Sequence, residues 1–150
     1  MALAVSACVS PVKPIQAWSS ATAAEASIGT VIVTNRSTNA TPESLAALKS
    51  QLEQYTAQCA RGPKKYELQV NVDNFKLANP GMTMLLGDMH ELAGEVKIVD
   101  PENGSVAAEY YVQERTGGAG LVGIAMLAGG APGISREFAS SVCSKVFGRK

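Results

Sequence analysis

Asp88, His90 and Glu91 combine two carboxylates with the only histidine of the sequence. An imidazole beside carboxylates can move a proton or, with further ligands, hold a divalent metal. On an extended strand Asp88 and His90 share one face while Glu91 points to the other. Two ligands on one face do not close a metal site, so the trio reads as a solvated strand entrance, with no metal and no cofactor. No serine is tied to this histidine by spacing, and no nucleophile–base pair can be argued. The reading is of a protein that is not an enzyme. Gly118, Gly120 and Gly123 match G-x-G-x-x-G, in which glycines let backbone amides approach a pyrophosphate. The context of that fingerprint is wrong, because no β-α-β unit follows and no acidic residue ends a next strand. Met82, Met84 and Met89 flank Pro80 and Gly81. Soft thioethers there suit an adaptable apolar contact or copper capture, although core packing is their ordinary use.

Cysteine is the other reactive type. Val5, Ser6, Ala7 and Cys8 resemble the lipobox of bacterial lipoproteins, where the thiol takes a diacylglycerol and the signal is clipped just before it. A secretory signal carries a basic n-region and about 7–15 apolar residues. Residues 1–8 are therefore read as the remnant of such a signal, against the plain reading of an alanine-rich start in which Cys8 has no role. From Val9 to Ser27 the chain is rich in Pro, Ser, Ala and Thr. It reads as a flexible tether, whose r.m.s. span for about twenty residues is about 25 Å. Trp18 within it is either an interfacial anchor or a residue that docks onto the domain. Setting Cys8 aside leaves Cys59 and Cys143, either a disulfide of an oxidising compartment or two buried reduced thiols.

The elements that position these residues follow from periodicity. Ile28–Thr34 is a β-branched run, a buried strand. Thr41, Pro42 and Glu43 supply an N-cap, a proline at the first helical position and an early acid. Leu45, Leu48, Leu52, Tyr55 and Cys59 then mark one helical face, which Gly62 is expected to end in a left-handed cap before Pro63. Tyr66, Leu68, Val70 and Val72 alternate with polar residues, and Phe75 breaks the phase, which predicts a bulge near Asn74. Residues 78–86 read as a turn or lip. His90–Asp100 and Val106–Arg115 read as a hairpin of strands joined through Pro101–Gly104. Lys64 and Lys65 read as an edge guard. Ser135 is read as the cap of a last helix bearing Phe138, Val142 and Val146.

This order, β-α-β-β-β-α, predicts an α+β two-layer sandwich in residues 28–150: a four-stranded mixed sheet with two helices on one face. The segment 117–133 has seven glycines in seventeen residues and no charge. Leu121, Val122, Ile124, Met126 and Leu127 within it make either an interaction surface or a loop folded over the domain's own edge. The interaction reading expects residues 120–130 to be mobile and dispensable for folding, because glycine disfavours a helix.

Composition narrows the function classes. The 150 residues hold 13 Lys plus Arg against 13 Asp plus Glu, so no basic excess exists to displace phosphate counterions, and no nucleic-acid partner is expected. Hydrophobic residues make up 46%, enough to exclude wholesale disorder.

The run from Gly87 to Asp100, the Gly104 turn and the stretch Ile134–Ala139 resemble small bacterial envelope lipoproteins with domains of unknown function. In outline these are similar to the α/β domain of the curli-secretion lipoprotein. The resemblance covers about residues 28–148 and implies an α/β fold and an envelope location. The transmembrane hairpins of the curli protein have no counterpart here, and the resemblance supplies no catalytic residue. The expectation is a non-enzymatic lipoprotein, anchored through Cys8 on the periplasmic side of the outer membrane. Its 117–133 segment would contact an envelope protein or another copy. The alternative is a periplasmic small-ligand or metal-binding module at the 82–90 lip.

Overall fold

Residues 64–117 carry the clearest period-two pattern in the chain and build the centre of a sheet. The computed structural model describes residues 11–118 and 120–149. In chain order the elements are β1 (Val12–Gln16), α1 (Ser20–Ala24), β2 (Ala26–Asn35), α2 (Pro42–Cys59), β3 (Lys64–Lys76), α3 (Pro80–Leu86), β4 (Met89–Val99), β5 (Val106–Gly117), α4 (Gly120–Met126) and α5 (Gly130–Ser141). A π-helical turn, Val142–Val146, continues α5. The strands form one mixed sheet in the order β1-β5-β4-β3-β2, with β2 parallel to β3 and the other pairs antiparallel.

Tyr66, Leu68, Val70 and Val72 of β3 face inward, and the register against β4 shifts between Val72 and Asn74. That extra residue returns Phe75 to the core opposite Leu92. Leu92, Val96 and Ile98 of β4 and Ala108, Tyr110 and Val112 of β5 complete the inner surface. Helix α2 starts where its cap dictates: the Thr41 hydroxyl accepts from Ser44 N at 3.1 Å. Leu48, Leu52 and Cys59 are buried along its stripe, with Leu45 and Tyr55 partly buried. Helix α5 and its π-turn bring Ile134, Phe138, Ala139, Val142 and Phe147 to the same core. Cys59 and Cys143 form a disulfide between the two helical segments, with Cα atoms 5.7 Å apart.

Five expectations are corrected. The sheet has five strands and not four, because part of the expected tether is a strand: Val12 pairs opposite Val112, and Gln113 N donates to Pro11 O at 2.8 Å. Only Val12 of β1 is buried, so the strand leaves almost no alternating signal, and Pro14 is tolerated because β1 is an edge. Trp18 holds the next stretch down, donating Nε1–H to Val146 O at 2.7 Å and meeting Tyr66 and Phe147 edge to face.

The helices number five α-helices and a π-turn among the described residues, where two helices were expected. Gly62 has no positive φ; helix α2 ends at Ala60, and Gly62 N donates to Ala26 O at 2.9 Å. A Cβ there would lie 2.0 Å from the Glu25 carbonyl carbon, so close backbone approach is what requires glycine. Ser135 lies inside α5, fully buried, while Gly129 precedes that helix. Lys64 belongs to an interior strand, where it pairs with Asp100 at 3.2 Å instead of guarding an edge.

Candidate functional site: an apolar end built by two short helices

The 78–86 lip and the glycine-rich segment, far apart in sequence, pack against each other as α3 and α4. Asn79 caps α3 by accepting from Gly81 N at 2.9 Å and Met82 N at 3.3 Å, and Pro80 opens the first turn. Gly87, at φ 72°, closes it in the left-handed conformation. The buried Thr83 hydroxyl donates to Asp88 O at 2.8 Å, fastening the helix to the start of β4. Asp88 accepts from Asn79 N at 3.0 Å and Met89 N at 3.1 Å, and it pairs with the Lys76 ammonium. Lys76 first, then the Asn79 amide, hold the Asp88 carboxyl below the usual range.

Helix α4 follows β5 through a fold-back that demands glycine: a Cβ on Gly123 would sit 2.1 Å from Gly118 O. The G-x-G-x-x-G spacing is thus used for the chain's own packing, with its third glycine against the first one's carbonyl.

His90 ties the two segments together. Its buried ring takes the Ala78 N–H on Nδ1 at 2.8 Å, and its Nε2 lies 3.1 Å from Leu127 O. A carbonyl only accepts, so Nε2 carries the proton and Nδ1 is the acceptor. Both nitrogens are thereby taken up by backbone, one at the approach to α3 and one just past α4. Glu91 faces elsewhere, bonded by Asn74 Nδ2 at 3.1 Å and paired with Arg115 at 3.5 Å. Asp88 and His90 are therefore a fastening and not a solvated strand entrance, while Glu91 takes no part in it. Among the described residues, no group of three His, Cys, Asp or Glu is placed to hold a metal ion.

What this fastening supports is apolar and outward-facing. Leu85 and Leu86 of α3 are 79% and 74% exposed, and Leu121 and Val122 of α4 are each 74% exposed, with Met82, Met84 and Met126 also exposed. Neither helix contains a charged residue. The five sequence-selected residues divide: Leu121, Val122 and Met126 face out, Ile124 is half-buried, and Leu127 is buried with its side chain against Gly117. Residues 120–126 of the segment are helical where a loop was expected, and Leu127 anchors its end through the carbonyl that faces His90. Cys8 and the residues that mark it lie outside the described residues.

The sheet's other face is polar. Arg36 bonds Asp73 at 2.9 Å and Glu95 at 3.2 Å, and Lys97 reaches Glu95 at 3.0 Å. Hydrogen bonding from Glu109, then from Lys97 and Arg36, draws the Glu95 carboxyl down to about 2, while Glu109 is pushed up. Under the helices, Glu114 is raised by burial, an effect opposed by the hydrogen bond from Ser141.

The architecture has a solved counterpart. The PelC dodecamer from Paraburkholderia phytofirmans superposes with a TM-score of 0.55 at 12% identity, covering 88% of this chain and 96% of that one. The two share a fold. A single-substitution variant of the same PelC dodecamer matches at 0.48 and 15% identity, over 89% and 97% of the two chains. A putative lipoprotein from Caulobacter crescentus CB15 matches at 0.47 and 14% identity, over 86% and 92%. No family model and no curated protein sequence matches the chain.

The short helix α3 was legible and missed: Asn79, Pro80 and Gly87 are a cap, a first-turn proline and a C-terminal glycine. The role of His90 had no sequence signal, because both of its partners are backbone atoms.

Proposed function

We propose that this chain is a non-enzymatic lipoprotein of the bacterial cell envelope, acylated at Cys8 and held on the periplasmic side of the outer membrane. Its domain is a contact module, and the end formed by α3 and α4 is its contact surface. The observation that carries this is the exposed, uncharged set Leu85, Leu86, Leu121 and Val122 on a framework pinned by His90 and Asp88. A surface of this kind on a firmly held support marks a binding face rather than a loose loop. The shared fold with PelC, a protein solved as a dodecamer, supports assembly as the setting in which such a module works. A Cys59–Cys143 disulfide suits an oxidising compartment. The metal-site alternative at residues 82–90 loses its best ligand, since both His90 nitrogens serve the backbone.

Detergent-phase partitioning of the precursor expressed in a bacterium tests the anchor. The wild-type chain is expected in the Triton phase and Cys8→Ser in the aqueous phase. Equal partitioning of the two overturns the lipoprotein reading.

A further inference from the structure

We infer that the α3–α4 end is seated in the lipid surface to which the chain is anchored, so that its contact partner is the bilayer itself. The inference rests on acylation at Cys8 and adds to it the placement of two independent features. The first is where the chain ahead of the domain arrives. β1 runs antiparallel to β5, and Pro11 O accepts from Gln113 N, so the backbone preceding Pro11 reaches the domain on the side where β5 runs on toward Gly117. Two residues lie between Cys8 and Pro11, three peptide steps with a covalent reach of about 10 Å at full extension.

The second feature is what occupies that end. α3 lies between β3 and β4 there, α4 follows β5 there, and Met89 pairs with Gly117 directly beneath them. A lipid on Cys8 would thus be attached within a short reach of the end that carries the exposed leucines. The Pro101–Gly104 hairpin lies at the other end of the β4–β5 pair.

A short covalent reach decides between occupants. A long tether would leave the apolar end free to meet any protein, whereas a domain held within about 10 Å of an acylated cysteine presents that end to the acyl chains first. The side chains suit the site. Leu, Met and Val without charge favour the boundary between headgroups and acyl chains, and the nearest charges at the adjoining strand ends are the Lys76–Asp88 and Arg115–Glu91 ion pairs. No helix among the described residues is long and apolar enough to cross a membrane, so the contact is interfacial.

Depth-dependent quenching tests this on the acylated full chain. Leu86→Cys, Val122→Cys and, at the hairpin, Glu102→Cys are each labelled with bimane without reduction. They are then reconstituted in phosphatidylethanolamine–phosphatidylglycerol vesicles whose acyl chains are brominated. Bimane at 86 and 122 is expected to shift to the blue and lose emission to the bromines, while the label at 102 does neither. Equal quenching at all three positions, or none at 86 and 122, overturns the inference. A blue shift at 86 and 122 before vesicles are added overturns it in favour of a second copy of the chain. Mass spectrometry of the same preparations reports the lipid on Cys8 separately, so failure of the anchor and failure of the apolar end are told apart.

Discussion

At the scale of single residues, two positions carry more of the structure than their types suggest. Gly62 is required by a neighbouring backbone and not by its own torsion angles: the space a Cβ would fill is held by the Glu25 carbonyl group. Gly62→Ala must push two chain segments apart, and a loss of about 3 kcal/mol is expected, the upper part of the overpacking range. Urea unfolding with an unchanged m-value checks it; a loss below ~0.5 kcal/mol would show that the segments yield freely. His90 is the second position. His90→Ala leaves the Ala78 N–H and the Leu127 carbonyl without their partner, at roughly 1–3 kcal/mol for each group that stays unsatisfied. The expected outcome is local. Amide exchange at Ala78 accelerates and α3 and α4 loosen, while protection in β3 and β4 persists.

At the scale of elements, the disulfide joins the end of α2 to the π-turn after α5 across 84 residues of sequence. The chain-entropy account sets its contribution at no more than ~4.5 kcal/mol. Thiol titration of denatured, unreduced protein is expected to find neither Cys59 nor Cys143 free, and reduction is expected to lower the melting temperature. The sheet's polar face predicts a pH dependence. Glu95 titrates near 2 in the folded protein, below an ordinary glutamate, so the unfolded chain binds that proton first as pH falls. The stability it contributes is full above the unfolded value, about 4.3, and drains away as pH drops toward 2. Glu109, pushed up by the same hydrogen bond, is protonated in both states well below about pH 4, so stability measured from pH 4 down to 2 should fall less steeply in Glu95→Gln. The elements also show what was readable. Helix α2 and the β3–β4–β5 meander were legible because each buries one regular stripe. β1 and α4 were not, because each buries a single residue and offers no stripe, while α3 is marked only at its ends, by Asn79, Pro80 and Gly87. The site inherits that split: Leu121, Val122 and the methionines could be picked from sequence, while Leu85, Leu86 and the juxtaposition that makes them one surface could not.

At the scale of the whole molecule, the stretch taken for a tether is part of the body. Deleting residues 1–18 removes β1 and Trp18 together, uncovering β5 and the Tyr66–Phe147 face. The truncated chain is expected to melt several degrees lower, as a loss of 1 kcal/mol alone shifts a domain of this size by about 4 °C. Calorimetry checks this, and an unchanged midpoint would return the segment to the status of a leader. The same closure has a consequence in time. Val12 waits for Val112, and Trp18 waits for Val146, 128 positions later. While the first half of the chain is being synthesised, neither partner has been made. The N-terminal stretch is therefore built into the body last: β1 completes the sheet only after β5 has been made, and Trp18 docks only when the last helix arrives.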